Sequence, residues 1–138
     1  MSYRILCAYD QSAGAEKAFD FAVQLARRFE AELHVLAVFE PAEASRGVKA
    51  EALVETAQGQ FNAAFERLRA KGADAGLEVT TSVSVGSPAQ QILKAAEALH
   101  ADHLVVGQRG KNSFEREAMG SVSLRIVSRG AGTVTVVR

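Results

Sequence analysis

Residues 103–123 read HLVVGQRGKNSFEREAMGSVS. The stretch opens on an apolar run, His103-Leu104-Val105-Val106. It passes through a polar segment punctuated by Gly107, Gly110 and Gly120, and leads into Val122-Ser123-Leu124-Arg125-Ile126-Val127, which can start a helix. The pattern predicts a strand at Leu104–Val106, a loop spaced Gly-x2-Gly-x9-Gly-Ser, and a helix from about Ser121. Glycines let backbone amides approach a phosphate with no β-carbon in the way. Unpaired N–H groups at a helix start, with the positive end of the dipole, favour an anion. The segment reads as a cradle for a nucleotide phosphate.

The rest of the chain alternates strands and helices around it. Tyr3–Tyr9 is short and apolar, and reads as strand 1; Asp10-Gln-Ser-Ala-Gly14 punctuates it. Ala15, Ala18, Phe19, Ala22, Leu25, Ala26 and Phe29 recur at helical spacing, with an alanine-rich face suited to close packing on a sheet. Leu33–Phe39 is almost wholly apolar, as a strand buried on both faces should be. Leu53, Ala57, Phe61, Ala64, Phe65 and Leu68 form one stripe of a helix over about 48–71, with Gly72 and Gly76 framing its exit. Leu77–Val85 alternates apolar and polar residues, which suggests a strand with one wetter face at the sheet edge. Ser87-Pro88-Ala89-Gln90 is a helix start, with Ser87 as N-cap, Pro88 in the first turn and Gln90 completing a capping box. Gly130 and Gly132 end the last helix, and Thr133–Val137 is strand 5. Alternation at this spacing predicts an α/β fold, a parallel sheet covered by helices on both faces. Ligands in such folds sit at the carboxyl ends of strands where strand order reverses, which makes the ends of strands 1 and 4, Asp10 and Gly107, candidates.

Bulk properties narrow the function classes. A length of 138 residues predicts one domain over 1–138, large enough for a real core. Lys plus Arg and Asp plus Glu balance at 16 each, so no global charge draws the chain to nucleic acid or an anionic membrane. No apolar stretch approaches the roughly 20 residues of a membrane span, and the opening Met-Ser-Tyr-Arg-Ile-Leu enters a strand directly. With Cys7 as the single cysteine, no intramolecular disulfide is available, and a cytoplasmic location is the expectation. His34, His100 and His103 belong to different elements and lack metal-site spacing, so they read as structural or surface residues.

The quoted motifs resemble a known family. Ile5-Leu-Cys-Ala-Tyr-Asp10-Gln-Ser opens the chain, Leu33-His-Val-Leu-Ala-Val38 follows, Ala101-Asp-His-Leu-Val-Val-Gly-Gln-Arg-Gly110 comes late, and Gly120-Ser121-Val-Ser123 precedes Val134-Thr-Val-Val-Arg138. Over essentially its whole length the chain resembles a universal stress protein domain of the ATP-binding branch. The resemblance implies a Rossmann-like (adenine nucleotide alpha hydrolase-like) three-layer sandwich with five parallel strands in order 3-2-1-4-5. It implies that Ala8, Tyr9 and Asp10 line the nucleoside end and that Val38 offers its main chain to the adenine. It further implies that Gly107, Arg109, Gly110, Gly120, Ser121, Val122 and Ser123 hold ribose and phosphates. ATP and magnesium are the implied cofactors, and a homodimer through strand 133–137 is the implied assembly. Two positions depart from the family pattern. Gln11 stands where a Gly often follows the strand-1 Asp, and Gly132 and Thr133 stand where a Pro commonly precedes the last strand.

The expected function is that of a nucleotide-dependent regulatory or stress-response protein with an unidentified protein partner. It is expected to bind rather than turn over, with at most slow ATP hydrolysis and no catalytic residues. There is no Walker-type Gly-x4-Gly-Lys-Ser/Thr motif, and magnesium would arrive with ATP. The loop 108–119, rich in charge, is expected to order on binding. The alternative from another class is an interaction module of the same fold that binds no nucleotide. A phosphoacceptor receiver domain would need an acid at the end of strand 3, where the chain reads Val85-Gly-Ser-Pro88.

Overall fold

A computed structural model of the chain describes residues 2–108 and 119–138. The order is β1 (Arg4–Ala8), α1 (Ala13–Phe29), β2 (Glu32–Phe39), a short 3-10 turn (Glu43–Ser45), α2 (Ala50–Asp74), β3 (Val79–Val85), α3 (Pro88–Leu99), β4 (His103–Gly107), α4 (Ser121–Arg129) and β5 (Thr133–Val137). The five strands form one parallel sheet in the order β3-β2-β1-β4-β5. The expected class and strand order are both observed, and the alternating Val79–Val85 is an edge strand as its pattern suggested.

Side chains alternate across the sheet and feed two cores. Ile5, Cys7, Leu33, Val35, Ala37, Val79 and Val105 point to one face, where Ala15, Ala18, Phe19, Ala22 and Ala26 of α1 and Phe61, Phe65 and Leu68 of α2 cover them. Leu6, Leu36, Leu104 and Val106 point to the other, against Ala89 and Ile92 of α3 and Ile126 of α4. Fully buried Phe19, Ile5, Leu33 and Leu68 each contribute about 1.5–3 kcal/mol of burial. The alanines of α1 let it settle close on β1 and β4.

Several local readings change. Gly14 lies within the first turn of α1, whose N-cap is Ser12, accepting from the Ala15 N–H at 3.0 Å. Gly72 lies within α2 and not beyond its end; a β-carbon there would sit 2.3 Å from Val79 Cγ2, so the glycine lets α2 and β3 meet. Ser87 occupies the N-cap position of α3, but its side chain makes no capping bond. The expected box with Gln90 therefore lacks its Ser87 bond; the next residue, Gln91, accepts from Ser84 Oγ of β3 at 3.1 Å.

Candidate functional site

The chain runs from β1 outward to β2 on one side, and β4 returns on the other, so strand order reverses between β1 and β4. Their register pairs Ile5 with His103 and Cys7 with Val105. Continuing it puts Tyr9 and Gly107 at matching height on the carboxyl edge. A crevice between strand ends at such a reversal is where open α/β sheets receive ligands.

Gly107 is the hub of this edge. A β-carbon on it would lie 2.8 Å from the carbonyl carbon and oxygen of Gly14 and 3.3 Å from the Ala15 nitrogen. The start of α1 therefore rests directly on the backbone of β4. From the other face of the sheet, the buried Ser123 of α4 donates its hydroxyl to the Gly107 carbonyl. Two helix N-termini thus meet one glycine from opposite faces of the sheet, and both turn the positive ends of their dipoles toward the carboxyl edge.

The segment between β4 and α4 is pinned at its base. Gln108 N–H donates to Val137 O at 2.8 Å, and Gly120 N–H donates to Gln108 O at 2.8 Å. Gly120 is the N-cap of α4, with φ −65° and ψ 157°, and the first intrahelical bond runs from Leu124 N to Gly120 O at 3.0 Å. A glycine cap has no side chain to satisfy the N–H groups that open the helix. The N–H groups of Ser121, Val122 and Ser123 are therefore the donors that this cap does not satisfy. Arg109 and Gly110 lie outside the described residues, as does the expected ordering of most of the 108–119 loop.

The other wall comes from β1 and β2. Asp10 lies two residues beyond the end of β1, and its Oδ1 accepts from the Ser12 N–H at 3.0 Å, which folds the chain into α1. Gln11 between them has φ 68°. This left-handed conformation is strained for a residue with a β-carbon, and it explains why glycine suits this place. Ala8, Val38 and Val122, three of the expected site residues, pack against the same cluster on the α3–α4 face. Tyr9 goes the other way. It is buried on the α1–α2 face, and its hydroxyl meets Glu16 and Arg67; only its backbone is at the edge, where its N–H donates to Leu36 O at 2.9 Å.

Sequence reading missed the partners of these residues. Gly14 looked like turn punctuation, and no spacing signal ties Tyr9 and Glu16 to Arg67, 58 and 51 residues along the chain. Burial first, then the Glu16 charge, pushes the Cys7 thiol up to about 12, so it stays a protonated core group. His103 is buried between Tyr3 Oη (3.1 Å from Nδ1) and Thr135 Oγ1 (2.6 Å from Nε2), a structural role as expected. No group of three metal-ligating side chains gathers among the described residues, and none of their helices is long and apolar enough to cross a membrane.

Comparison with known proteins agrees with this geometry. The family model described as the universal stress protein family matches residues 1–138. A universal stress protein of Methanocaldococcus jannaschii is 30% identical, over 98% of this chain and 81% of its own length. Among solved structures, the universal stress protein UspA of Lactobacillus plantarum superposes with a TM-score of 0.86 at 29% identity, covering 99% of this chain and 97% of that one. Two more distant neighbours share the fold. A universal stress protein solved in complex with cAMP has a TM-score of 0.78 at 22% identity, covering 99% of this chain and 97% of that one. One from Archaeoglobus fulgidus in complex with dAMP has a TM-score of 0.72 at 20% identity, covering 100% and 98%. The chain belongs to the universal stress protein family.

Proposed function

We propose that this protein binds an adenine nucleotide, ATP with magnesium, in the crevice between β1 and β4, and that it works as a regulatory dimer in the cytoplasm. The observation that carries the reading is the meeting of α1 and α4 at Gly107. Helix N-termini supply N–H donors and positive potential to an anion; Gly107 lets the start of α1 close on β4, and Gly120 opens α4 with no side chain over its first N–H groups. Two neighbours of the same fold, solved with cAMP and dAMP, lend support to the choice of an adenine nucleotide.

In this reading Gly120, Ser121, Val122 and Ser123 present α4 to the phosphates, with Gly107, Arg109 and Gly110 completing the cradle. Asp10, at the end of a central strand, faces the ribose hydroxyls, as acidic residues do in dinucleotide folds. The adenine lies toward Ala8, the Tyr9 backbone and Val38. Magnesium suits the donor set as a guest of the phosphates. It keeps several waters and takes one or two carboxylates, and Asp10 is a carboxylate this chain supplies at that edge. Bound magnesium would neutralise phosphate charge; the chain's own residues bind and orient. The role is binding, with at most slow hydrolysis.

The dimer follows from the open edge of β5, the last strand of the sheet. Half-exposed Leu124 and Val127 of α4 add apolar surface to the chain's outer face. Mass spectrometry of small molecules released from the purified protein tests the nucleotide reading: an adenine nucleotide is expected, and a protein that neither carries nor takes one up would be the interaction module instead.

A further inference from the structure

The turn between β1 and α1 carries Asp10, and α2 grips it on both sides. On one side, the Tyr9 hydroxyl donates to Glu16 Oε2 and accepts from Arg67 Nη2 at 2.9 Å. Arg67 closes the cycle with a fork onto Glu16, Nη1 to Oε1 at 2.5 Å and Nη2 to Oε2 at 3.2 Å. On the other side, Gln11 Nε2 donates to Gln60 O of α2 at 3.1 Å. Positions 60 and 67 are two turns apart on one face of α2, so a single helix face holds both neighbours of Asp10.

The chemistry of the cycle favours fixed geometry. Burial first, then the bond to Glu16 and its charge, push the Tyr9 hydroxyl up to about 12, so it remains a donor. Burial pushes the Glu16 carboxyl up, but the bonds from Arg67 and Tyr9 outweigh it and hold the carboxyl below its usual range, so it remains a charged acceptor. An isolated surface Arg–Glu pair contributes little to stability. A bidentate fork closed through a tyrosine hydroxyl fixes orientation, and here the tyrosine is the residue before Asp10.

We propose that Arg67 is a positioning residue for Asp10: acting from α2 through Tyr9 and Glu16, it sets where the carboxylate stands at the β1–β4 crevice. The proposal rests on the reading of Asp10 as the ribose-side group. It makes α2, which packs on edge strand β3, part of the binding apparatus without contact to the nucleotide.

The test is Arg67→Met, with two readouts. In the ligand-free protein, amide hydrogen exchange over residues 10–12 should rise about tenfold while β2 and β4 keep their protection. By calorimetry, the Kd for ATP with magnesium should rise about tenfold, a step of one interaction of this class. Arg67→Lys keeps the charge but not the fork and should recover only part of both. Tyr9→Phe removes the hydroxyl alone and should give the same pattern if Arg67→Met does not fold. Unchanged exchange in the turn, a loss of protection spread evenly over the chain, or an unchanged Kd in a protein whose wild type binds ATP would each overturn the proposal. A wild type that binds no ATP would sink the nucleotide reading, and exchange in the turn would then decide the positioning role alone.

Discussion

The backbones of Gly107 and Gly14 touch: a β-carbon on Gly107 would lie 2.8 Å from the Gly14 carbonyl. Gly107 does not have a positive φ, so space and not torsion requires glycine here. Gly107→Ala should destabilise the fold by about 1–3 kcal/mol, the cost of overpacking against atoms that cannot rotate away. Gly59→Ala is the control. That position, within α2, meets nothing within 4 Å, and alanine there should stabilise by about 0.5–1 kcal/mol. Urea denaturation of both variants checks the pair of signs.

Gly120 separates binding from folding. Its φ of −65° and ψ of 157° suit any residue. Gly120→Val should therefore add no backbone strain and cost only about 1 kcal/mol as a poorer N-cap, while placing a branched side chain at the start of α4, where the proposed phosphates would lie. Loss of ATP binding in calorimetry, with a native circular dichroism spectrum, is the expected pair of results.

His103 gives the fold an acid sensitivity. Burial lowers its pKa below the ordinary imidazole value of 6.5. At pH values above 6.5 both folded and unfolded chains hold the ring neutral. Below it the unfolded chain takes up a proton that the folded chain resists, so stability falls as pH falls from 6.5 toward the folded pKa. His103→Gln should remove this contribution. Denaturation midpoints of the two proteins between pH 7.5 and about 5 should converge as the wild type loses stability.

The proposed dimer uses β5, the edge strand of the sheet. Val137 O accepts from Gln108 N, so residues 133, 135 and 137 turn their backbone toward β4, and Val134 and Val136 turn theirs outward. A proline at Thr135 would break the sheet itself. Val136→Pro removes an outward donor and should convert a dimer to monomer in sedimentation. A wild type that sediments as monomer at all concentrations would contradict the dimer.

Much of this architecture was legible in the chain. Leu33–Phe39 had to be an interior strand because both its faces are apolar, and Leu77–Val85 an edge because one face is wet. Thr133–Val137 is observed as read. The glycine spacing pointed to the edge where β4 ends. What could not be read depends on contacts distant in sequence. Gly107 looked like a phosphate glycine, and its contact with Gly14 appears only once α1 lies on β4. Gln11 could be noted as a departure, but its φ of 68° and its bond to Gln60 needed α2 in place. Ser87 takes the N-cap position without a capping bond, and the glutamine that finds a partner is Gln91, with Ser84 across a turn that local pattern does not describe.

Isothermal titration calorimetry of the wild-type protein with ATP and magnesium tests the central claim most directly. The account predicts a saturable heat with one nucleotide per chain, lost in Gly120→Val. A folded wild type that gives no heat with ATP, AMP or cAMP would contradict it.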